Sequence, residues 1–222
     1  MHTIIAIVCL ALMLWVEPAS AQQAYSLKVS IHKDVPQLTN DQIDEALDRA
    51  SKLLKEPGNK CNVTLKRNGP VEIFNFDSAP KKITNLDELE AVHRVPADVK
   101  IVESIHFCMG RYDKRSWWGC SWRPPGLPKT VIVVRGMRPG PVVGRDSRYL
   151  LWAHEFGHTK GLHHRLDDKR ALMTPCDIEP TTRRITNDEC TCFKNGPEGC
   201  PIPAPAQEAT CSATAPVSSR RK

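Results

Sequence analysis

The chain has 222 residues and a formal net charge of +6; 41% of its residues are hydrophobic and 25% are charged. This share of apolar residues is enough to build a core, which excludes a chain that is disordered throughout. The modest basic excess is spread along the sequence, so the charge does not by itself indicate a nucleic-acid partner.

The N-terminal segment has the pattern of a cleavable secretory signal. An apolar run covers 4–16, which is shorter than the roughly 20 residues that cross a bilayer. Small residues at 19–21 then provide a cleavage site. The sequence predicts a signal peptide over 1–21, secretion to an extracellular or periplasmic compartment, and no stable membrane span after cleavage. An uncleaved anchor is the alternative.

Cysteine usage is consistent with export. Removal of 1–21 would leave eight cysteines, an even number that indicates disulfides in an exported protein. Cys108 and Cys120 would close a short loop and are one plausible pair, while the full connectivity is not readable from the sequence. The eight are Cys61, Cys108, Cys120, Cys176, Cys190, Cys192, Cys200 and Cys211.

In the first half of the chain, alternation of apolar and polar residues predicts a strand over 25–31. A capping box at 39–42 begins a helix with apolar residues at helical spacing, and Pro57-Gly58 ends it. Strands are predicted over 61–65 and 71–76, because a turn signal separates two apolar runs.

The second half begins with a polar stretch, 77–98, to which the pattern assigns no element. A strand is predicted over 99–107, and a second over 130–134, where every residue but Thr130 is apolar and both faces should be covered. The segment 136–144 is rich in Gly and Pro and predicts a loop, after which a long helix begins near residue 148.

The C-terminal part is short of regular structure. A second capping box predicts a brief helix over 186–193, and Gly, Pro, Ala, Ser and Thr dominate beyond it. The simplest division is a signal peptide over 1–21, one domain over 22–194, and an irregular tail over 195–222.

Four of the eight histidines lie within eleven residues. His154 and His158 are four residues apart, so on a helix they lie on one face and can reach one metal ion. Gly161 accepts positive φ and can end the helix, which allows His164 to return to the same ion. Three histidine ligands leave one position of a zinc site open, and Glu155 could hold a water there.

The residues over 154–164 match the zinc signature of the metzincins, His-Glu-x-x-His-x-x-Gly-x-x-His. The later segment 171–175 resembles the methionine-containing turn of that family. It is most similar to the turn of the matrixin branch, Ala-Leu-Met-Tyr-Pro, from which Thr174 departs. The resemblance implies an α+β fold, in which a twisted mixed β-sheet lies over an active-site helix and a small C-terminal lobe follows.

The resemblance also implies roles for the residues of the motif. One catalytic Zn²⁺ would be held by His154, His158 and His164. Glu155 would act as the general base on the attacking water. Met173 would lie under the metal as a support rather than as a ligand.

Two assignments have alternatives. His163 is adjacent to the chosen third ligand, and His164 is preferred because the family spacing places the ligand three residues after Gly161. The strip 119–126 resembles the edge strand along which matrixins bind substrate. Trp118 and Trp122 are the expected substrate-binding residues there, and plain packing is the alternative.

The sequence therefore predicts a secreted, monomeric zinc metalloendopeptidase that acts on a peptide or protein substrate and has no nucleic-acid partner. The first predicted strand begins soon after the cleavage site, which leaves no room for an inhibitory propeptide. One alternative is a zinc exopeptidase. The other is a disulfide-rich binding protein with a structural zinc site, against which Glu155 argues, since a structural site has no use for a general base.

Overall fold

A computed structural model describes residues 22–59, 61–75, 79–122, 125–135, 148–175 and 183–203. The predicted signal peptide, the loop 136–144, Cys176, Cys211 and the tail beyond residue 203 lie outside these ranges. The strands of the described part are β1 (Gln23–Leu27), β2 (Val29–His32), β3 (Val63–Arg67), β4 (Glu72–Phe74), β5 (Lys82–Ile83), β6 (Val99–Val102), β7 (Ser104–Cys108), β8 (Arg111–Trp117), β9 (Gly119–Cys120) and β10 (Val131–Val134). The α-helices are α1 (Asn40–Lys55), α2 (Leu86–His93), α3 (Arg148–Thr159) and α4 (Asn187–Asn195).

Two of the helices begin at the capping boxes that the sequence predicts. At α1 the Thr39 hydroxyl accepts from the Gln42 main-chain N–H at 3.2 Å, and the Gln42 side chain accepts from the Thr39 N–H at 3.0 Å. At α4 Thr186 and Glu189 make the same reciprocal pair. Each box satisfies N–H groups that have no partner within the helix, which fixes where the helix begins.

The main sheet has five strands in the order β4-β2-β6-β10-β9. The pairs are parallel except that β9, at the edge, runs antiparallel to β10. A two-stranded sheet joins β1 to β3, and a three-stranded sheet has the order β5-β7-β8. The predicted α+β fold with a mixed β-sheet is confirmed.

Hydrophobic clusters cover both faces of the main sheet. Val131 and Val133 of β10 face a core that includes residues of α1 and α3. Ile132 and Val134 face a second core built with α2 and β7. Successive side chains of a strand point to opposite faces, so a strand between two layers is apolar throughout, as predicted for 130–134.

Two predicted strands are each interrupted by one residue. The run 25–31 breaks at Lys28, whose main-chain N–H donates to the Asp98 carboxylate at 2.8 Å, so that β1 and β2 enter different sheets. The run 99–107 breaks at Glu103, which pairs with Lys81 at 2.9 Å. The prediction of one continuous strand over each run was wrong. The residues that pair with Lys28 and Glu103 lie far away in the sequence, so the local pattern does not show the interruptions.

The polar stretch left unassigned contains β5 and α2. The C-terminal end of α2 is tied to the sheet by Lys100 of β6, whose side chain is fully buried. Its ammonium donates to the His93 carbonyl at 3.1 Å and to the Thr130 hydroxyl at 2.9 Å. Burial lowers the pKa of Lys100 to about 8. The alternating pattern of β6 does not reveal this buried lysine.

Three disulfides are described: Cys61–Cys190, Cys108–Cys120 and Cys192–Cys200. The pairing of Cys108 with Cys120 is confirmed. Disulfides of this number are typical of proteins from oxidising compartments. Among the described helices, none is both long and apolar enough to cross a bilayer.

We expect the Cys61–Cys190 bridge, which spans 129 residues, to contribute more stability than Cys192–Cys200, which spans 8. A longer closed loop removes more entropy from the unfolded chain. Replacing Cys61 and Cys190 by Ala should lower the free energy of unfolding by about 2 kcal/mol more than replacing Cys192 and Cys200. Denaturant unfolding without reductant measures both, and equal losses would contradict the prediction.

Candidate metal centre

Helix α3 carries the first two histidines of the motif, and the helix itself is packed into the core. Leu150 and Ala153 are fully buried in the core that α3 shares with α1 and β10. His154 and Glu155 are also buried, with 3% and 5% of their surfaces exposed. The predicted apolar helix is therefore present, and it holds these polar side chains inside the protein.

The imidazole rings of three histidines, two on α3 and one after it, come close together. The Nε2 atom of His158 lies 3.1 Å from Nε2 of His154 and 3.1 Å from Nε2 of His164. The candidate ligand atoms of all three residues lie within 4.8 Å of one another. His163 is not a member of this cluster, so the geometry favours His164 as the third partner.

Main-chain carbonyls fix the tautomers of the two helical histidines. His154 Nδ1 lies 2.7 Å from the Leu172 carbonyl oxygen, and His158 Nδ1 lies 2.8 Å from that of Leu162. A carbonyl oxygen only accepts, so each ring donates from Nδ1 and carries its lone pair on Nε2. This is the arrangement that a metal-binding histidine requires.

The donor set fits zinc. The Nε2 atoms of His154 and His158 are 3.1 Å apart, and in the neutral rings their lone pairs repel each other unless a cation lies between them. Tetrahedral Zn²⁺ with Zn–N bonds of 2.0–2.1 Å separates its nitrogen ligands by about 3.3 Å, close to the separation found here. Neutral imidazole is a preferred zinc ligand, and three of them leave a fourth position for water or substrate.

Gly161 makes the turn that returns the chain to the cluster. Its φ is +89°, and a Cβ there would lie 2.9 Å from Cα of Pro197. A side chain at this position would be strained and would also collide with main chain. The turn presents the Leu162 carbonyl to His158 and leads on to His164.

The predicted methionine turn packs against helix α3 and the segment that carries His164. Met173 is fully buried, and its carbonyl accepts from the Arg165 N–H at 2.8 Å, next to His164. A Cβ at Gly157 would lie 2.7 Å from the Met173 sulfur, so the glycine of α3 leaves the room that Met173 occupies. The motif assigns no role to Gly157, although this glycine lies between the two candidate ligands of one helix.

Glu155 lies against the edge strand β9. The Ser121 hydroxyl donates to Glu155 Oε2 at 2.8 Å. Burial raises the pKa of Glu155 to about 7, while the hydrogen bonds of Ser121 and the charge of His164 act in the opposite direction. A Cβ at Gly119 would lie 2.6 Å from Glu155 Cγ, so only glycine leaves space for this side chain. Gly119 and Ser121 both belong to the predicted strip 119–126, but no local pattern connects them to Glu155.

The two tryptophans assigned to substrate binding differ in their surroundings. Trp118, immediately before β9, is 38% exposed. Trp122 packs against the second core, and its carbonyl oxygen lies 3.0 Å from His93 Nε2. Trp118 is therefore exposed at this edge, whereas Trp122 is partly buried against the second core, and their predicted role in substrate binding stays a prediction.

Comparisons with known proteins add little to this geometry. No protein-family model and no curated protein matches the chain. Among solved structures, the chain is similar to the crystal structure of archaemetzincin (amzA) from Methanopyrus kandleri, with 15% sequence identity and a TM-score of 0.42. The match covers 84% of this chain and 93% of that chain. At these values it assigns no activity here, so the chemistry depends on the site itself.

Replacing each of the adjacent histidines in turn tests the ligand set. We expect His164→Ala to weaken zinc binding by about 100-fold or more, because one of three converging nitrogens is lost. His163→Ala is the matched control and should bind zinc within about threefold of the unchanged protein. Competition with a chromogenic chelator measures both affinities, and the reverse order would show that His163 is the ligand.

Proposed function

We propose that the chain is a secreted zinc-dependent metalloendopeptidase of metzincin type. The observation that carries the proposal is the convergence of three Nε2 atoms, two of them turned inward by main-chain carbonyls, beside a buried carboxylate. The matching motif and methionine turn support it, and the three disulfides fit an oxidising, extracellular compartment.

His154, His158 and His164 would hold the ion. Zinc bound there would supply Lewis-acid chemistry, which activates a water molecule and polarises the scissile carbonyl. A site with three protein ligands suits this role better than a structural site, which is normally closed by four. The buried Glu155, next to His154 in the sequence, argues further for a catalytic site, because structural zinc has no use for a general base.

Glu155 would be the general base. It follows His154 directly on α3, and its carboxylate is buried with the Ser121 hydroxyl as a hydrogen-bond donor. From this place a carboxylate oxygen can accept a proton from the attacking water and pass it to the leaving amine. Exclusion of bulk water strengthens the electrostatic interactions that stabilise the developing charge.

The substrate would lie along β9. This strand is last in the order of the main sheet, and its inner edge is taken by β10. An extended peptide can add to the outer edge through main-chain hydrogen bonds, with the exposed Trp118 beside it. Such pairing holds the peptide by its main chain rather than by its ends, which favours an endopeptidase over an exopeptidase.

The general-base role can be separated from metal binding by one substitution. We expect Glu155→Ala to keep one zinc per chain and to lower kcat/KM on an unfolded protein substrate by about 1,000-fold, because proton transfer loses its acceptor. Glu72→Gln, on the strand at the opposite edge of the main sheet, is the matched control and should keep full activity. Zinc analysis and substrate digestion, with and without a chelator, measure the two effects.

The same assay distinguishes the alternatives. Chelator-sensitive cleavage within a peptide blocked at both ends supports an endopeptidase, whereas cleavage only of unblocked peptides indicates an exopeptidase. A zinc-loaded protein that cleaves neither peptide nor unfolded protein would contradict the proposal and favour a binding protein.

A further inference from the structure

The edge strand and the catalytic carboxylate are in direct contact. The Ser121 hydroxyl donates to Glu155 Oε2 at 2.8 Å, and Ser121 lies immediately after β9. At Gly119 a Cβ would overlap the Glu155 side chain, since it would lie 2.6 Å from Cγ and closer still to the carboxylate. The first residue of β9 and the residue after the strand therefore enclose Glu155 from one side.

The segment that carries Ser121 is held on both sides. Cys120, the preceding residue, is 2% exposed, forms a disulfide with Cys108 and pairs with Ile132 of β10. Trp122, the following residue, has its carbonyl oxygen 3.0 Å from Nε2 of His93, which is fully buried. Because both neighbours are anchored, the Ser121 hydroxyl is presented from a fixed main chain.

We propose that Ser121 is a positioning residue that orients the general base Glu155. The inference rests on the proposed peptidase function and adds to it. A carboxylate can accept several hydrogen bonds, so the bond from Ser121 fixes the plane of the group and leaves it able to accept a proton. The hydroxyl belongs to the strand on which the substrate would pair. It therefore holds the base in register with the scissile bond.

The first test separates rate from binding. We expect Ser121→Ala to lower kcat by about tenfold while KM stays within about twofold, because the hydroxyl contacts the base and not the substrate. Ser121→Thr keeps a hydroxyl and should restore kcat to within about threefold of the unchanged protein. Zinc content should be the same in all three proteins.

Ser116→Ala is the matched control. Its hydroxyl accepts from the Ile105 N–H at 3.0 Å and donates to the Trp117 carbonyl at 3.1 Å, so it also serves a strand, β8, which precedes β9 in the chain, but it does not contact Glu155. This variant should keep kcat within about twofold. Gly119→Ala would displace the Glu155 side chain, because the added Cβ overlaps it. This variant should lower kcat at least as much as Ser121→Ala.

The second test measures the contact without activity. Ser121→Ala should lower the melting temperature of the zinc-loaded protein by about 3 °C or more, since a part-buried hydrogen bond to the Glu155 carboxyl group is lost. In a Glu155→Ala background the same change should cost less than about 1 °C, because the partner is already absent.

The outcomes are distinct. An active protein in which Ser121→Ala keeps kcat within twofold, or equal thermal losses in the two backgrounds, would overturn the positioning role and leave the peptidase assignment intact. Absence of chelator-sensitive cleavage by the unchanged protein would overturn both proposals. A drop in kcat with unchanged KM, rescue by Ser121→Thr and coupled thermal losses would support them.

Discussion

The direction of two imidazole rings is the constraint on which the site depends. A spacing of four residues places His154 and His158 on one face of a helix, but each ring can still turn about its second side-chain torsion. The Leu172 and Leu162 carbonyls remove that freedom, at 2.7 and 2.8 Å from the Nδ1 atoms. They force the Nε2 lone pairs to meet, which is unfavourable without a cation and therefore selects for one.

Both carbonyls come from irregular chain after α3, and close packing holds that chain in place. Gly161 at φ +89° allows the turn that presents the Leu162 carbonyl. The Leu172 carbonyl precedes Met173, whose sulfur occupies the space beside Gly157. Gly161, the fixed glycine of the motif, and Gly157, at one of its variable positions, thus act on the metal site indirectly, one through main-chain conformation and one through lack of volume. The convergence of the histidines therefore depends on this packing as well as on the histidine spacing.

The sequence predicted what depends on local chemistry. Both capping boxes, the buried strand ending at Val134 and the histidine spacing follow from patterns of a few residues, and the structure contains them. The interruption at Lys28 and the burial of Lys100 were not predicted, because their partners Asp98 and Thr130 lie 70 and 30 residues away. Alternating apolar residues indicate a strand, but they do not show which sheet it enters.

The contact between Glu155 and the edge strand was not predicted for the same reason, since 34 residues separate the carboxylate from Ser121. This contact has a geometric consequence for the proposed catalysis. If substrate pairs with the outer edge of β9, the peptide and the base are both located by residues 119–121, and one short strand sets their distance. Cys120, the last residue of β9, forms the disulfide with Cys108 of β7. An oxidising compartment would therefore stabilise the strand that, in the proposed mechanism, aligns Glu155 with the scissile bond.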